Sequence, residues 1–152
     1  MNGALKPLPE PLKQSLKNVI SQCFSFIIDV LNKSPFDISV PEDDEQIRKE
    51  EPADGSDKLY DCLLWNDENH SFDIVIKKLK EATNCTDERA EMISKNIDSH
   101  GRGCLCITED IKKLKQMSEI INAVELRTTI RLLSETLKEE VVAYLIVYFS
   151  KL

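Results

Sequence analysis

An apolar run with strand character, Leu59-Tyr60-Asp61-Cys62-Leu63-Leu64-Trp65, breaks into a polar elbow, Asn66-Asp67-Glu68-Asn69-His70-Ser71, and restarts at Phe72 with helical spacing. A run apolar except for Asp61 suits a central strand covered on more than one side. Such a strand delivers a carboxamide and two acids to its end, next to a helix N-terminus. That corner suits a small polar or charged group, and the rest of the chain reads as its support.

The flanking elements follow from periodicity. Pro11 to Asn32 carries apolar residues at three- and four-residue steps, Leu12, Leu16, Val19, Ile20, Cys23, Ile27 and Leu31, which predicts an amphipathic helix. Phe24, Phe26, Ile28 and Val30 widen its apolar face, so it is expected to be well buried. Residues 34–57, with Pro35, Pro41, Pro52 and an acidic run, read as a linker able to bury little apolar area and mobile in part. Lys58 to Trp65 is the first strand. Ser71 is placed to cap a helix with Phe72, Val75, Ile76, Leu79 and Ala82 inward. Asn84-Cys85 breaks that pattern, and Thr86 caps a further helix, with Asp87 and Glu88 in its first turn and Gly101 as its left-handed stop. Gly103 to Ile107 is a short strand, Thr108-Glu109-Asp110 caps another helix, Leu126 to Leu133 is a third strand, and Glu135 to Lys151 is a last helix.

The order predicts an α+β fold: a β-α-α-β-α-β core at 58–134 with a small three-stranded antiparallel or mixed sheet and helices on one face. Accessory helices flank it at 1–33 and 135–152. At 152 residues the chain suits one domain with extra helices.

Composition narrows the function. A net charge of −7 disfavours nucleic acid and is compatible with a cationic ligand. Lys6 and Glu10 come early and no small-residue cleavage site follows, so no export signal is expected. Val19 to Leu31 is too short to span a bilayer, so no membrane partner is expected. Five cysteines without C-x-x-C spacing imply neither a disulfide framework nor zinc, and a reducing cytoplasmic or nuclear setting is expected. No Gly-rich phosphate loop is present and no cofactor is implied.

Within the corner, Asp67 can accept charge-assisted hydrogen bonds from an ammonium and Asn66 offers a carboxamide. Asp98, near the end of the third helix and just before Gly101, is placed to face the same volume. Phe72, Val75, Ser94 and Ile97 offer an apolar hollow beside them. Such a site receives something cationic at one end and greasy at the other. The bland reading stands beside it: an Asn-Asp dipeptide at a strand end also serves as a turn or a cap. His70 beside two acids reads as an elbow residue, since no nucleophile or oxyanion donor accompanies it. Cys104 and Cys106, on one face of a strand with Leu105 on the other, read as small buried hydrophobes. Lys112, Lys113 and Lys115 read as a solvated helix face.

These residues resemble a known family. Asn66-Asp-Glu-Asn-His-Ser-Phe-Asp-Ile-Val-Ile76, then Glu88-Arg89-Ala90 and Asp98-Ser99-His100-Gly101, is similar to ClpS, the adaptor that binds destabilising N-terminal residues. The match runs without gaps from about Tyr60 to Gly101 and more loosely to Leu133. With Asp98 where bacterial adaptors carry histidine, it is more similar to the ClpS-like domain of UBR-type N-recognins, which are large RING ubiquitin ligases. The resemblance implies a non-catalytic domain that binds type 2 N-degrons, free N-terminal Phe, Tyr, Trp, Leu or Ile. Asn66, Asp67 and Asp98 would hold the α-amino group, and Phe72, Val75, Ser94 and Ile97 would line the side-chain pocket. Its partners would be the N-terminal segments of substrate proteins and the other domains of a parent ligase. The alternatives are a free-standing adaptor serving an ATP-dependent protease and a structural docking domain with a degenerate pocket.

Overall fold

The computed structural model describes residues 7–34, 40, 45, 47 and 58–152. Its elements are α1 (Glu10–Lys33), β1 (Tyr60–Trp65), α2 (Phe72–Thr83), α3 (Asp87–His100), β2 (Arg102–Thr108), α4 (Ile111–Asn122), β3 (Thr128–Leu132) and α5 (Leu133–Phe149). The chain divides into two compact units, one of residues 35–137 and one of 1–34 with 138–152.

In the larger unit β1 is the central strand, in the order β2-β1-β3, and both neighbours run antiparallel to it. The small sheet is therefore wholly antiparallel, and the fold is α+β as its element order predicts. Tyr60, Cys62 and Leu64 face the helices. Cys62 packs with Ile111, Leu114 and Met117 of α4, and Leu64 packs with Leu79 of α2, Ala90 and Ile97 of α3 and Ile121 of α4. Asp61 and Leu63 on the opposite face are buried too, so both faces of this strand are covered and, Asp61 apart, it is apolar rather than alternating. The core helices α2, α3 and α4 pack on one face of the sheet, and on the other face Thr136 Oγ1 donates to Asp61 Oδ1 at 3.2 Å.

Antiparallel pairing on both sides has one consequence that governs the site. The exit of β1 at Trp65 lies beside Arg102 at the start of β2, and Leu64 lies beside Thr128 at the start of β3. Three chain segments distant in sequence thus converge where the elbow begins.

Local chemistry sets the helix ends. Thr86 accepts from the Arg89 N–H, Asp110 accepts from the Lys113 N–H, and Gly101 closes α3 at φ 80° with its N–H on the Ile97 carbonyl. Ser71 holds the cap position of α2, but its side chain makes no cap bond, so the expected hydroxyl cap is absent. Asn84 ends α2 in the left-handed region at φ 55°.

Two expectations need correction here. Val40 and Ile47, from the segment read as a linker, bury apolar area: Ile47 is 2% exposed among Tyr60, Cys62 and Leu132, and Val40 packs on the same cluster. Tertiary contact overrides a polar local composition at these two positions. The expected mobility of that segment lies outside the described residues. The second correction concerns β2, where Leu105 and Cys106 both pack on the core while Cys104 is exposed. The register slips between Cys62 and Leu63, and this bulge breaks the alternation that would have put Cys104 and Cys106 together.

In the smaller unit, Ile27 and Val30 of α1 pack with Val142, Leu145 and Phe149 of α5, and Phe24 stacks on Phe149. The Ser34 N–H closes α1 by donating to the Val30 carbonyl at 2.9 Å, and its hydroxyl donates to Glu139 Oε1 at 2.8 Å. Leu12, Leu16, Val19, Ile20, Ile28 and Leu31 stay exposed, so α1 is not buried along its length as its wide apolar face suggests. Within this unit only the C-terminal part of α1 finds buried partners among the described residues. No helix among the described residues is long and apolar enough to cross a membrane.

Candidate functional site

The site begins with the backbone at the exit of β1. The Trp65 N–H donates to the Arg127 carbonyl at 3.0 Å, and the Asn66 N–H donates to the Gly101 carbonyl at 2.8 Å. Trp65 Nε1 donates to Thr129 Oγ1 at 2.8 Å, and the Arg102 guanidinium lies 5.6 Å from the indole centroid. The ring is thereby held at both its polar and its π face. Asn66 and Asp67 consequently emerge at a fixed place, against the end of α3.

The elbow then folds on Asp67. Its Oδ1 accepts the Asn69 N–H at 2.7 Å, and Oδ2 bonds His70 Nδ1. These bonds, the Asn69 amide first and His70 next, hold the Asp67 carboxyl below the usual carboxylate range. Asp67 is therefore ionised at neutral pH and points a negative charge into the corner.

Beyond the elbow, Phe72 and Val75 are contributed by the first turn of α2, and Ser94, Ile97 and Asp98 by α3 at helical spacing. Ser94 and Ile97 are each 3% exposed, whereas Asp98 is exposed and Phe72 is 45% exposed. The structure brings all seven sequence-predicted residues, Asn66, Asp67, Phe72, Val75, Ser94, Ile97 and Asp98, to the wall of one small hollow of about 40 Å³. Two carboxylates and a carboxamide stand on its wall with apolar residues beside them, an arrangement suited to an ammonium attached to an apolar group.

Sequence reasoning left out four lining residues: Leu64, Trp65, His70 and Leu126. His70 is signalled by its place in the elbow. Leu126 comes from the approach to β3, about sixty residues further along the chain, and nothing near the elbow announces it. A second, larger groove of about 600 Å³ adjoins the hollow, sharing Asn66, Asp67 and His70 and adding Asn69, Glu125 and Arg127. Among the described residues no cluster of three or more His, Cys, Asp or Glu is placed to hold a metal ion.

Residues 55–132 match the family described as ATP-dependent Clp protease adaptor protein ClpS. The chain belongs to the ClpS family. Domains of the ClpS family bind the N-terminal residues of substrate proteins. Beyond the family-matched core, the E3 ubiquitin-protein ligase ubr1 of Schizosaccharomyces pombe is 26% identical over 161 residues, covering 98% of this chain and 8% of the ligase. The E3 ubiquitin-protein ligase UBR2 of Mus musculus is 32% identical over 94 residues, covering 61% of this chain and 5% of the ligase. The chain thus spans less than a tenth of the length of these relatives. Among solved structures, Agrobacterium tumefaciens ClpS2 bound to L-phenylalaninamide is similar at TM-score 0.44 and 19% identity, over 49% of this chain and 96% of that one.

Proposed function

We propose that this ClpS-family chain is the substrate-recognition part of a UBR-type ubiquitin ligase and binds type 2 N-degrons: proteins with a free N-terminal Phe, Tyr, Trp, Leu or Ile. One observation carries the reading. Asp67 and Asp98, thirty-one positions apart in the chain, line the same hollow as Phe72, Val75, Ser94 and Ile97. In this reading Asp67, Asp98 and the Asn66 carboxamide hold the α-ammonium, and the apolar residues receive the first side chain. Only a chain terminus sets an ammonium next to a side chain in this way, so an internal Phe is excluded by its geometry.

The magnitudes are adequate. Burying a Phe or Leu side chain contributes about 1.5–3 kcal/mol. Each hydrogen bond to a charged group adds about 1.5–3 kcal/mol. Less the cost of immobilising a peptide, this gives roughly micromolar affinity, near 8 kcal/mol. The hollow, at about 40 Å³, is smaller than an aromatic side chain. In this reading Phe72, 45% exposed on the wall of the hollow, turns outward to enlarge it when a side chain enters.

The module has no catalytic role in this reading; ubiquitin transfer belongs to the parent ligase. A ligase rather than a protease adaptor is favoured by the likeness to the fission-yeast enzyme, which extends over 98% of the chain and so includes α1 and α5 outside the family-matched core. Those two helices carry exposed apolar residues, among them Leu16, Val19, Tyr144 and Val147, and serve here to join the module to the ligase's other domains.

The test is a titration over all twenty N-terminal residues, each peptide made with a free and an acetylated amine. Acetylation removes the charge, so binding confined to free amines with bulky apolar first residues supports the reading. Equal binding of free and acetylated peptides, or none by either, leaves a docking domain with a degenerate pocket.

A further inference from the structure

The groove of about 600 Å³ beside the hollow is left unused by recognition of the first residue alone. Its shared wall, Asn66, Asp67 and His70, is where the ammonium is held in the proposed mode, so a peptide leaving the hollow must cross that wall. An extended residue advances the chain by at most about 3.3–3.6 Å. The second and third residues therefore lie over the elbow and enter the groove.

The far wall is built to carry charge outward. Leu126 is 2% exposed and lines the hollow, while Glu125 and Arg127 on either side of it are exposed and line the groove. Glu125 leaves the turn after α4 at φ 65° and Arg127 leads into β3, so with Leu126 inward both charged side chains lie exposed on the groove wall. The segment is held from both sides. The Arg127 carbonyl accepts the Trp65 N–H, and the Glu125 N–H donates to the Asn122 carbonyl at 2.9 Å. Just before and after it, Ser118, Asn122 and Thr128 form a closed side-chain network, with Ser118 Oγ and Thr128 Oγ1 2.6 Å apart. Glu125 and Arg127 make no ion pair among the described residues, the Asn66 carboxamide makes no hydrogen bond among them, and the Asn69 carboxamide lies beside the Asp67 carboxylate. Two carboxamides suit a peptide backbone, and two rigidly based, unpaired charges of opposite sign suit its side chains.

We propose that this groove is a second subsite, in which Arg127 and Glu125 sort substrates by the charge of the residues following the N-terminal one. Arg127 favours an acidic side chain and Glu125 a basic one. The inference rests on the N-degron reading and adds to it a specificity that the first residue does not supply.

Peptides with free N-terminal Phe followed by two Asp, two Lys or two Ala residues, otherwise identical, are titrated against the parent, Arg127→Glu and Glu125→Lys at low salt. Arg127→Glu is expected to lower the affinity ratio of the Asp to the Lys peptide by about fivefold or more, and Glu125→Lys to raise it similarly, with the Ala peptide nearly unmoved. Ratios unchanged in both variants, with all free Phe peptides still binding the parent, overturn the subsite and leave the first-residue site intact. If no free Phe peptide binds the parent, both readings fall together.

Discussion

The backbone N–H of Asn66 donates to the carbonyl oxygen of Gly101 across 2.8 Å, and this bond ties the exit of β1 to the end of α3. It places Asp98, one turn before Gly101, on the wall that Asn66 and Asp67 share. Gly101 makes the bond at φ 80°, a conformation that costs an L side chain strain, although a Cβ there would meet nothing within 4 Å. Gly101→Ala is therefore expected to cost about 1 kcal/mol through the backbone alone, with Gly101→Asn costing less because Asn tolerates the left-handed region. Denaturant midpoints with unchanged slope check this.

Gly103 works differently. A Cβ at this position would lie 2.6 Å from Ile97 Cγ1, and Ile97 is 3% exposed on the wall of the hollow. Gly103→Ala must displace Ile97, at about 1–3 kcal/mol of stability for overpacking. Since Ile97 lines the hollow, affinity for a Phe-initiated peptide is expected to fall as well, measured by titration at a temperature where the variant is fully folded.

Asp67→Ala tests the charge at the corner. Its carboxylate is expected to contribute at least about 2 kcal/mol to peptide affinity, as a hydrogen bond to a charged partner does. It is not part of the core, so the fold is expected to stay intact, with only the local bonds to Asn69 and His70 lost. Full affinity in the variant would remove Asp67 from the site.

Asp61 sets a pH dependence of stability. Burial pushes its carboxyl up to about 6, opposed by the Thr136 hydroxyl and the Arg131 guanidinium. Its folded pKa lies above the unfolded value, so the folded state holds this proton more tightly. The contribution is therefore fully present below about pH 4, is lost as pH rises from about 4 to 6, and is constant above; it amounts to about 3 kcal/mol at most. Asp61→Asn should flatten the profile across that window, read from denaturant midpoints at pH 4, 5, 6 and 7. An identical slope in parent and variant would assign the titration elsewhere.

Much of the molecule was legible from its residues because local chemistry is strong here. The apolar run at 59–65, the caps at Thr86 and Asp110, and the stop at Gly101 specify their elements through period and hydrogen-bonding capacity alone. Asn66 and Asp67 stand out by following the strand directly, and Asp98 by preceding the glycine stop. What local signals did not carry was contact between distant segments. Leu126, Glu125 and Arg127 reach the elbow only because β3 pairs with β1 in one particular register. The exposed Cys104 follows from a one-residue slip in β2, and a single slip is invisible in a pattern of period two.

The amino-acid order alone determined which stretches are helix and strand, where they stop, and which side chains bear charge beside an apolar face, since each depends on neighbours within a turn or a strand. Only the tertiary structure decided that Ile47 is core and that much of α1 stays exposed, and it alone joined the hollow to a charged groove. Those outcomes depend on which surfaces meet, and burial is a property of the pair that meets rather than of either sequence by itself.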